Sequence, residues 1–420
     1  MVLHSEISIH QKNFASEFDN QAKSLQRIIM IATRPTVFTS RIYNNSPLSF
    51  SVSTLARRKF HDFAFVFDID GVLFRGKKPI PQARSALELL NRKKVPYILM
   101  TNGGGISEKA KADEVTEITK CSLPISPLQV VQSHTPMKAL TRDKNFQRVL
   151  VVGGKGDNAR HVAYDYGFKD VVMPIDIVRA NRAVAPHSMY TEDDFAKYSR
   201  DVDLSKPVDA ILVFNDPRDM SSDIQIVQDV LNSQNGELNG VKRNFKDVKD
   251  KSKPAVPILF SNNDYVYAND YPLPRFGQGA FRIITESLYN HTNRLSPSEN
   301  LQSLIMGKPF KLQYDFAHHV LIDWRSRLTN NELKTDSQIL PLLGEVPESS
   351  PFKKIYMVGD NPESDIKGAN DHGWESILLR TGVYKDEDWD YIVAKPTVGV
   401  FDNVEDAVKS VLEKNGVSTD

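Results

Sequence analysis

The chain changes from apolar to acidic within the stretch Phe63-Ala-Phe-Val-Phe-Asp-Ile-Asp-Gly-Val72, where five apolar residues are followed by Asp68, Asp70 and a glycine. A continuous apolar run of this length is typical of a strand buried on both faces of a parallel sheet. Ligands of such sheets bind beyond the carboxyl ends of the strands. The two carboxylates therefore stand where a binding site is expected.

The same pattern recurs later in the chain. Further buried strands are predicted at Tyr97–Met100, Ile355–Val358 and Ser376–Leu379, and each ends in a polar residue or a glycine-containing turn. Between the first two strands lies an apolar stripe at helical spacing, formed by Ala83, Ala86, Leu87, Leu89 and Leu90. Strands that alternate with helices predict an α/β fold with a Rossmann-like parallel sheet.

The middle of the chain has a strand set of its own, predicted at Val149–Val152, Ala210–Phe214 and Pro257–Phe260. A polar, lysine-rich stretch over 232–253 is typical of a surface loop. We therefore expect an inserted α/β domain. The predicted organisation is a leader at 1–60, the first part of the core at 61–145, the insertion at 146–271 and the second part of the core at 272–420.

The composition excludes several classes of protein. The 420 residues include 53 Lys and Arg against 53 Asp and Glu, and a chain without basic excess is not expected to bind nucleic acid. Cys121 is the only cysteine, so neither an internal disulfide nor a cysteine-based zinc site is expected. No apolar run approaches the roughly 18 residues that a transmembrane helix needs.

Four motifs follow one another in a characteristic order. They are Asp68-Ile-Asp70-Gly71-Val72, Thr101-Asn102-Gly103-Gly104-Gly105, Gly307-Lys308-Pro309 and Gly359-Asp360-Asn361-Pro362-Glu363-Ser364-Asp365. In this order and context the sequence resembles the haloacid dehalogenase (HAD) superfamily of phosphohydrolases. One motif alone would be weak support, whereas the four together identify the fold.

The sequence also resembles one particular subgroup of this superfamily. A large insertion between the second and third motifs resembles the C2, type IIA cap of this superfamily. Over about residues 61–410 the chain is similar to the mitochondrial HAD hydrolase-like group typified by the cat eye syndrome candidate 5 protein. The stretches that carry this similarity are Phe67–Phe74, Ser133–Pro136, Phe276–Phe281, Asp315–His319 and Arg380–Val383. The resemblance implies a HAD core with an inserted α/β C2-type cap.

Hydrolysis of a phosphate ester needs a nucleophile and a proton donor for the leaving group. Asp68 ends its strand, where it can attack phosphorus and form an aspartyl-phosphate. Asp70 lies two residues further, where the turn can aim it at the leaving oxygen as general acid and later at water as general base. Gly71 permits the sharp turn that this arrangement requires.

The phosphoryl oxygens need donors and positive charge. Thr101 offers a hydroxyl group, and the backbone N–H groups of Asn102 and Gly103 act as in an oxyanion hole. Lys308 supplies a point charge between the phosphate and the nucleophile. We assign catalysis to Asp68, Asp70 and Lys308 and phosphate binding to Thr101, Asn102 and Gly103.

The acidic residues also suit a metal ion. Asp360 and Asp365 are hard oxygen ligands for Mg²⁺, and Asp68 and the Asp70 carbonyl complete the predicted set. By family resemblance Asp360 is a direct ligand, whereas Asp365 ligates directly, ligates through water or orients Lys308. Mg²⁺ is the expected cofactor because it reduces the repulsion between a carboxylate and a phosphate.

Two polar turns follow strands of the insertion, Asn215-Asp216-Pro217 and Asn262-Asn263-Asp264. We name Asn215, Asp216, Asn262 and Asn263 as candidates for substrate recognition. The alternative, that these residues only form turns, stays open at this stage.

The sequence thus predicts a Mg²⁺-dependent phosphohydrolase for a small phosphorylated metabolite. Two alternatives stay open: a catalytically idle HAD-fold binding or scaffold protein of mitochondria, and a phosphotransferase, including one linked to phospholipid metabolism. A homodimer is a further partner arrangement that the sequence leaves open.

The first 60 residues differ in composition from the rest. No acidic residue occurs between Asp19 and Asp62, whereas basic residues and many Ser and Thr do. This acid-poor, hydroxyl-rich composition is typical of a mitochondrial presequence. We expect a mitochondrial protein, with the matrix as its compartment, and a cytoplasmic protein with a disordered tail as the alternative.

Overall fold

The computed structural model describes residues 61–267, 271, 273, 275–333 and 340–420. The predicted presequence, residues 1–60, lies outside the described residues.

Strands and helices alternate along most of the described chain. The strands are β1 (Phe63–Phe67), β2 (Phe74–Arg75), β3 (Lys78–Pro79), β4 (Tyr97–Met100), β5 (Val130–Val131), β6 (Arg148–Val152), β7 (Asp170–Val172), β8 (Ala210–Val213), β9 (Ile258–Phe260), β10 (Val266–Tyr267), β11 (Arg275–Phe276), β12 (Leu304–Ile305), β13 (Lys354–Gly359), β14 (Glu375–Leu379) and β15 (Gly399–Phe401). The α-helices are α1 (Ala83–Lys93), α2 (Glu108–Thr119), α3 (Asn158–Tyr166), α4 (Pro174–Ala180), α5 (Glu192–Tyr198), α6 (Met220–Leu231), α7 (Gln278–Asn293), α8 (Lys311–Asn330), α9 (Lys367–Asp371) and α10 (Val404–Lys414).

A first, parallel sheet has the strand order β15-β14-β13-β1-β4-β5. Strand β1 lies between β13 and β4, with Phe67 opposite both Val358 and Leu99. The carboxyl ends of these three strands therefore meet at one edge of the sheet. This places the first, second and fourth sequence motifs side by side.

Strand β1 is buried on both faces, as its apolar run predicts. Phe65 and Phe67 pack with α1 and α10, whereas Ala64 and Val66 pack with α8 on the other face, because successive side chains of a strand point to opposite sides. The predicted apolar stripe of α1 is buried as well. The predicted α/β class with a parallel-sheet core is confirmed.

A second parallel sheet has the order β12-β9-β8-β6-β7. Its strands β6, β8 and β9 correspond to the three strands predicted for the insertion. Strand β12 lies beyond residue 271, where the sequence predicts that the insertion ends, yet it pairs with β9. Phe281 and Tyr289 of α7 belong to the same apolar core. We therefore move the end of the insertion from 271 to about 306, because α7 and β12 complete its core.

The carboxyl edges of the two sheets face each other. The Asn262 Nδ2 atom, after β9, donates to the Asn102 carbonyl oxygen, after β4, at 3.1 Å. The Ser133 and Ser261 hydroxyl groups are 3.2 Å apart. Both strand ends thus contribute to one junction, where the motif residues also lie. Among the described residues, no helix has the length and apolar character needed to cross a membrane.

Candidate active site

Lys308 lies at the centre of the junction between the two sheets. Its Nζ atom is 2.5 Å from Asp68 Oδ1 and 2.7 Å from Asp365 Oδ1, and the residue is 2% exposed. Burial alone lowers the pKa of the Lys308 ammonium, but the two carboxylates raise it above its ordinary value. Lys308 therefore stays charged, and it pairs with Asp68, which lies 240 positions earlier in the chain.

Asp365 is fixed from two sides. Its Oδ2 atom accepts hydrogen bonds from the backbone N–H groups of Asp360 and Asn361, at 3.1 and 3.0 Å. The buried Tyr314 hydroxyl donates to the carbonyl oxygens of Ser364 and Asp365, both at 3.1 Å. These contacts stabilise the π-helical turn Pro362–Ile366 that follows β13. The other carboxylate oxygen of Asp365, Oδ1, pairs with Lys308.

The carboxylates of Asp68, Asp360 and Asp365 form a compact group, in which one oxygen of each lies within 4.8 Å of the others. Burial, opposed by Lys308, raises the pKa of Asp68 well above its usual range. Burial and the Asp365 carboxylate raise the pKa of Asp360 to about 7. Three buried carboxylates against one ammonium make a site with an excess of negative charge. Such an oxygen-rich site fits a hard divalent cation such as Mg²⁺.

Asp70 follows β1 in a tight turn. Gly71 has a φ of +80°, its N–H donates to the Phe74 carbonyl oxygen at 2.8 Å, and a Cβ atom there would lie 2.4 Å from Asp360 Oδ2. The Asp70 side chain is exposed, although partial burial raises its pKa. Its carboxylate lies outside the compact group, and the sequence assigns only its carbonyl to the metal.

The predicted phosphate loop starts at Thr101, which is buried at the end of β4. The Thr101 Oγ1 atom accepts a hydrogen bond from the Gly103 N–H at 3.0 Å. In this conformation the Gly103 N–H, which we expected to donate to phosphate, is therefore directed to Thr101. The two residues stabilise the loop as a pair, and their contacts with phosphate stay a prediction.

The Asn102 side chain holds the main chain of Lys308. Its Oδ1 atom accepts from the Lys308 N–H at 2.7 Å, and its Nδ2 atom donates to the Lys308 carbonyl oxygen at 3.0 Å. The same Nδ2 atom donates to Asp264 Oδ1 at 3.0 Å. The second motif thus positions the lysine of the third.

Two of the four candidate substrate residues contact the phosphate loop. Asn262 donates to the Asn102 carbonyl oxygen. Asn215 lies against Gly105, where an added Cβ atom would be 2.6 Å from Asn215 Nδ2. Both residues therefore stand at the junction, and their role in substrate recognition stays a prediction.

The other two candidates, Asp216 and Asn263, lie near α7. Burial raises the pKa of Asp216. Asn263 Oδ1 accepts from Arg282 Nε at 2.7 Å. Their role in substrate recognition stays a prediction.

Sequence reasoning assigns no role in the site to Asp264 or to the segment after β14. Asp264 is half-buried and accepts a hydrogen bond from Asn102, and the Val383 N–H donates to Asp360 Oδ2 at 2.7 Å. The signal for Asp264 is its place in the turn after β9, next to two candidate residues. The signal at Val383 is weaker, because a backbone N–H leaves no mark in the sequence.

Two family models and several known proteins match this chain. The family model for haloacid dehalogenase-like hydrolases matches residues 65–169, and a HAD-hydrolase-like model matches residues 305–407. A mitochondrial hydrolase of Saccharomyces cerevisiae is 52% identical over 353 residues, which cover 84% of this chain and 96% of that protein.

A second relative and a solved structure extend the comparison. A cardiolipin synthase/mitochondrial hydrolase fusion protein of Schizosaccharomyces pombe is 36% identical over 368 residues, which are 87% of this chain but only 56% of that protein. The p-nitrophenyl phosphatase from Archaeoglobus fulgidus superposes with a TM-score of 0.51 at 14% identity, covering 84% of this chain and 100% of the other. At this identity the superposition shows the shared fold alone.

We predict that Lys308→Met destabilises the protein by about 3 kcal/mol, because it leaves Asp68 and Asp365 buried without their cation. Urea denaturation checks this value. The matched control is Lys109→Met, whose ion pair with Asp113 is exposed and is expected to change stability by less than about 0.5 kcal/mol. Adding Asp365→Asn to Lys308→Met should restore part of the loss, since one uncompensated charge disappears. If Lys308→Met were as stable as the wild type, Lys308 would not be the cation that compensates Asp68 and Asp365.

Proposed function

Because this chain belongs to the haloacid dehalogenase-like hydrolases, we propose that it is a Mg²⁺-dependent phosphatase that acts on a small phosphorylated metabolite. The observation that carries the proposal is the Lys308 ammonium between Asp68 Oδ1 and Asp365 Oδ1, with Asp360 in the same carboxylate group. A nucleophile, a fixed cation and hard metal ligands are thus within one small volume.

In the proposed first step, an Asp68 oxygen forms a bond to phosphorus while the bond from phosphorus to the leaving oxygen breaks. Asp70 gives its proton to that leaving oxygen. The partial burial that raises the pKa of Asp70 favours the protonated form needed for this step. The product is an aspartyl-phosphate on Asp68.

In the second step, Asp70 accepts a proton from water, and the water oxygen attacks phosphorus. The bond from phosphorus to Asp68 breaks, inorganic phosphate leaves, and both carboxyl groups return to their starting protonation states. Lys308 stays charged throughout and stabilises negative charge on Asp68 and on the phosphoryl oxygens.

The carboxylates of Asp68, Asp360 and Asp365 and the Asp70 carbonyl would hold Mg²⁺, which supplies positive charge that offsets repulsion between carboxylate and phosphate. Burial raises the pKa values of Asp68 and Asp360, because the ionised carboxylates lose contact with water and are not fully compensated by Lys308. A nucleophilic carboxylate must be ionised, so a cation at this site supports the proposed chemistry.

The cap, formed by the inserted segment that carries the second sheet, limits the size of the substrate. Asn262 and Asp264 after β9 hydrogen-bond with the Asn102 residue of the phosphate loop. Since the cap lies directly against the loop, a bulky phosphoprotein has poor access to Asp68. A small phosphate ester enclosed between cap and core is favoured, and enclosure also excludes bulk water.

A second candidate follows from one relative. In Schizosaccharomyces pombe the homologous segment is part of a fusion protein whose name includes cardiolipin synthase. This arrangement favours, as the alternative to a soluble metabolite, a phosphate ester of phospholipid metabolism, with hydrolysis or phosphoryl transfer as the reaction. The same residues would carry either reaction.

The test is phosphate release from a panel of phosphorylated metabolites and glycerol-type phosphates, with and without Mg²⁺. We predict Mg²⁺-dependent release that Asp68→Asn lowers by more than about 1000-fold, because the amide keeps the shape but loses the nucleophile's charge. The matched control is Asp113→Asn, an exposed residue of α2, which should keep full activity. No release together with no Mg²⁺ binding would contradict the proposal and favour the idle binding protein.

We also propose that the protein is mitochondrial. Two observations support this: the acid-poor composition up to Asp62, and the mitochondrial hydrolases among the named relatives. The matrix is the compartment that we expect.

The localisation test is import of the full chain into isolated mitochondria. Replacing Arg27, Arg34 and Arg41 by Glu should abolish import, because presequences need positive charge. The control replaces the same three residues by Lys and should import normally. A protein from cells that keeps residue 1 and fractionates only with the cytosol would contradict the proposal.

A further inference from the structure

The segment Arg380–Val383, which follows β14, contacts both the turn after β1 and the carboxylate group. The Thr381 hydroxyl donates to the Gly71 carbonyl oxygen at 2.6 Å. Two residues further, the Val383 N–H donates to Asp360 Oδ2 at 2.7 Å. One short segment thus links the turn that carries Asp70 with a predicted metal ligand.

The contact between these parts is close. A Cβ atom on Gly382 would lie 1.7 Å from Asp360 Oδ2, and one on Gly71 would lie 3.0 Å from Gly382 Cα. Two glycines and one carboxylate therefore pack without space for a side chain. A displacement of the segment would be transmitted directly to Gly71 and Asp360, since packed groups have no free volume in which to relax.

The segment is itself anchored by two arginines. The Arg75 guanidinium, on β2, donates to the carbonyl oxygens of Thr381 and Gly382. Arg380 forms ion pairs with Asp386 and Asp402, both at 2.9 Å. The anchors give the Thr381 hydroxyl a fixed position from which to hold the Gly71 carbonyl.

The Asp70 carboxylate lacks such support of its own. Within the described part of the chain its side chain makes no hydrogen bond, whereas those of Asp68, Asp360 and Asp365 are all held. The direction of the Asp70 side chain therefore depends on the backbone of its turn. That turn contains Gly71 at a φ of +80°, a residue with high conformational freedom.

We propose that Thr381 is the positioning residue for Asp70. Its hydrogen bond fixes the Gly71 peptide, and through it the direction of the Asp70 carboxylate and carbonyl. The inference rests on the proposed function for its kinetic consequence, because a general acid must be held within hydrogen-bond reach of the leaving oxygen. The inference has a second consequence, because the Asp70 carbonyl is part of the proposed metal site. A change in its direction should change the affinity for Mg²⁺, which can be measured without a substrate.

The experiment compares Thr381→Val, which removes the hydroxyl group and keeps the shape, with Thr381→Ser, which keeps the hydroxyl group. The matched control is Thr141→Val, because Thr141 also donates to a carbonyl oxygen, that of Lys138, at 2.8 Å but away from the site. The rate of the first step is measured at saturating Mg²⁺ as release of the leaving group in a single turnover, for an alkyl phosphate and for p-nitrophenyl phosphate, because the second step is common to both esters. An alkoxide needs a proton on leaving, whereas nitrophenolate leaves almost unaided.

We expect Thr381→Val to lower this first-step rate for the alkyl phosphate by about 30-fold and for p-nitrophenyl phosphate by less than about 3-fold. Thr381→Ser and Thr141→Val should stay within about 2-fold of the wild type for both esters. An equal loss for both esters in Thr381→Val would overturn the inference, since a general structural defect has no preference for the leaving group. Retention of full activity would overturn it as well.

A calorimetric titration with Mg²⁺ separates this inference from the proposed function. If the wild type hydrolyses neither these esters nor any compound of the metabolite panel, the proposed function fails, and the affinities of the variants decide. Thr381→Val should then bind Mg²⁺ at least about 5-fold more weakly than Thr381→Ser, and equal affinities would overturn the inference.

Arg75→Gln serves as a second variant if Thr381→Val does not fold. The substitution is at an exposed residue, and it removes the hydrogen bonds that the guanidinium donates to the carbonyl oxygens of Thr381 and Gly382. We expect the same preference for the leaving group with a smaller amplitude. An Arg75→Gln protein that hydrolyses both esters at wild-type rates would contradict the role of the anchored segment.

Discussion

The Lys308 ammonium between the Asp68 and Asp365 carboxylates is the interaction on which the rest of the site depends. Burying two carboxylates without a cation would cost several kcal/mol, about 3–5 for a pair that loses one partner. In the folded chain, hydrogen-bonding partners offset this cost for both carboxylates. Lys308 serves both carboxylates, and the backbone N–H groups after β13 serve Asp365. We propose that the negative charge that is left serves to bind a metal ion, so that the same physical constraint explains both the stability and the chemistry of the site.

The path of the chain couples the cap to this interaction. Lys308 follows β12, the edge strand of the second sheet, by only a few residues. The Asn102 side chain, which follows β4 of the first sheet, accepts from the Lys308 N–H and donates to the Lys308 carbonyl oxygen. It also donates to Asp264 of the cap. These contacts link the position of the cap to the position of Lys308, which pairs with the proposed nucleophile.

The candidate residues Asp68, Thr101 and Asp360 were predictable because each one follows an apolar strand. Strand β1 and its carboxylates are an example, since continuous burial and an abrupt polar end both leave marks in the sequence. Strand β12 was not predictable, because two residues give no periodic signal and its partner β9 lies far away in the chain. The contact between Asn263 and Arg282 of α7 was not predictable either, because only the folded chain creates it. Thr381 was missed as a positioning residue for a related reason, because its acceptor is a carbonyl oxygen 310 residues away.

The central claim is that Asp68 becomes phosphorylated, and trapping of that intermediate tests it most directly. The protein is incubated with p-nitrophenyl phosphate and Mg²⁺, quenched, and reduced with borohydride, which converts an aspartyl-phosphate to homoserine. Peptide mass spectrometry then locates the change. The account predicts homoserine at position 68, more of it in Asp70→Asn, where water lacks its general base, and none in Asp68→Asn. Phosphate release by the wild type without modification of Asp68 in either protein, or with modification of another residue, would contradict the account.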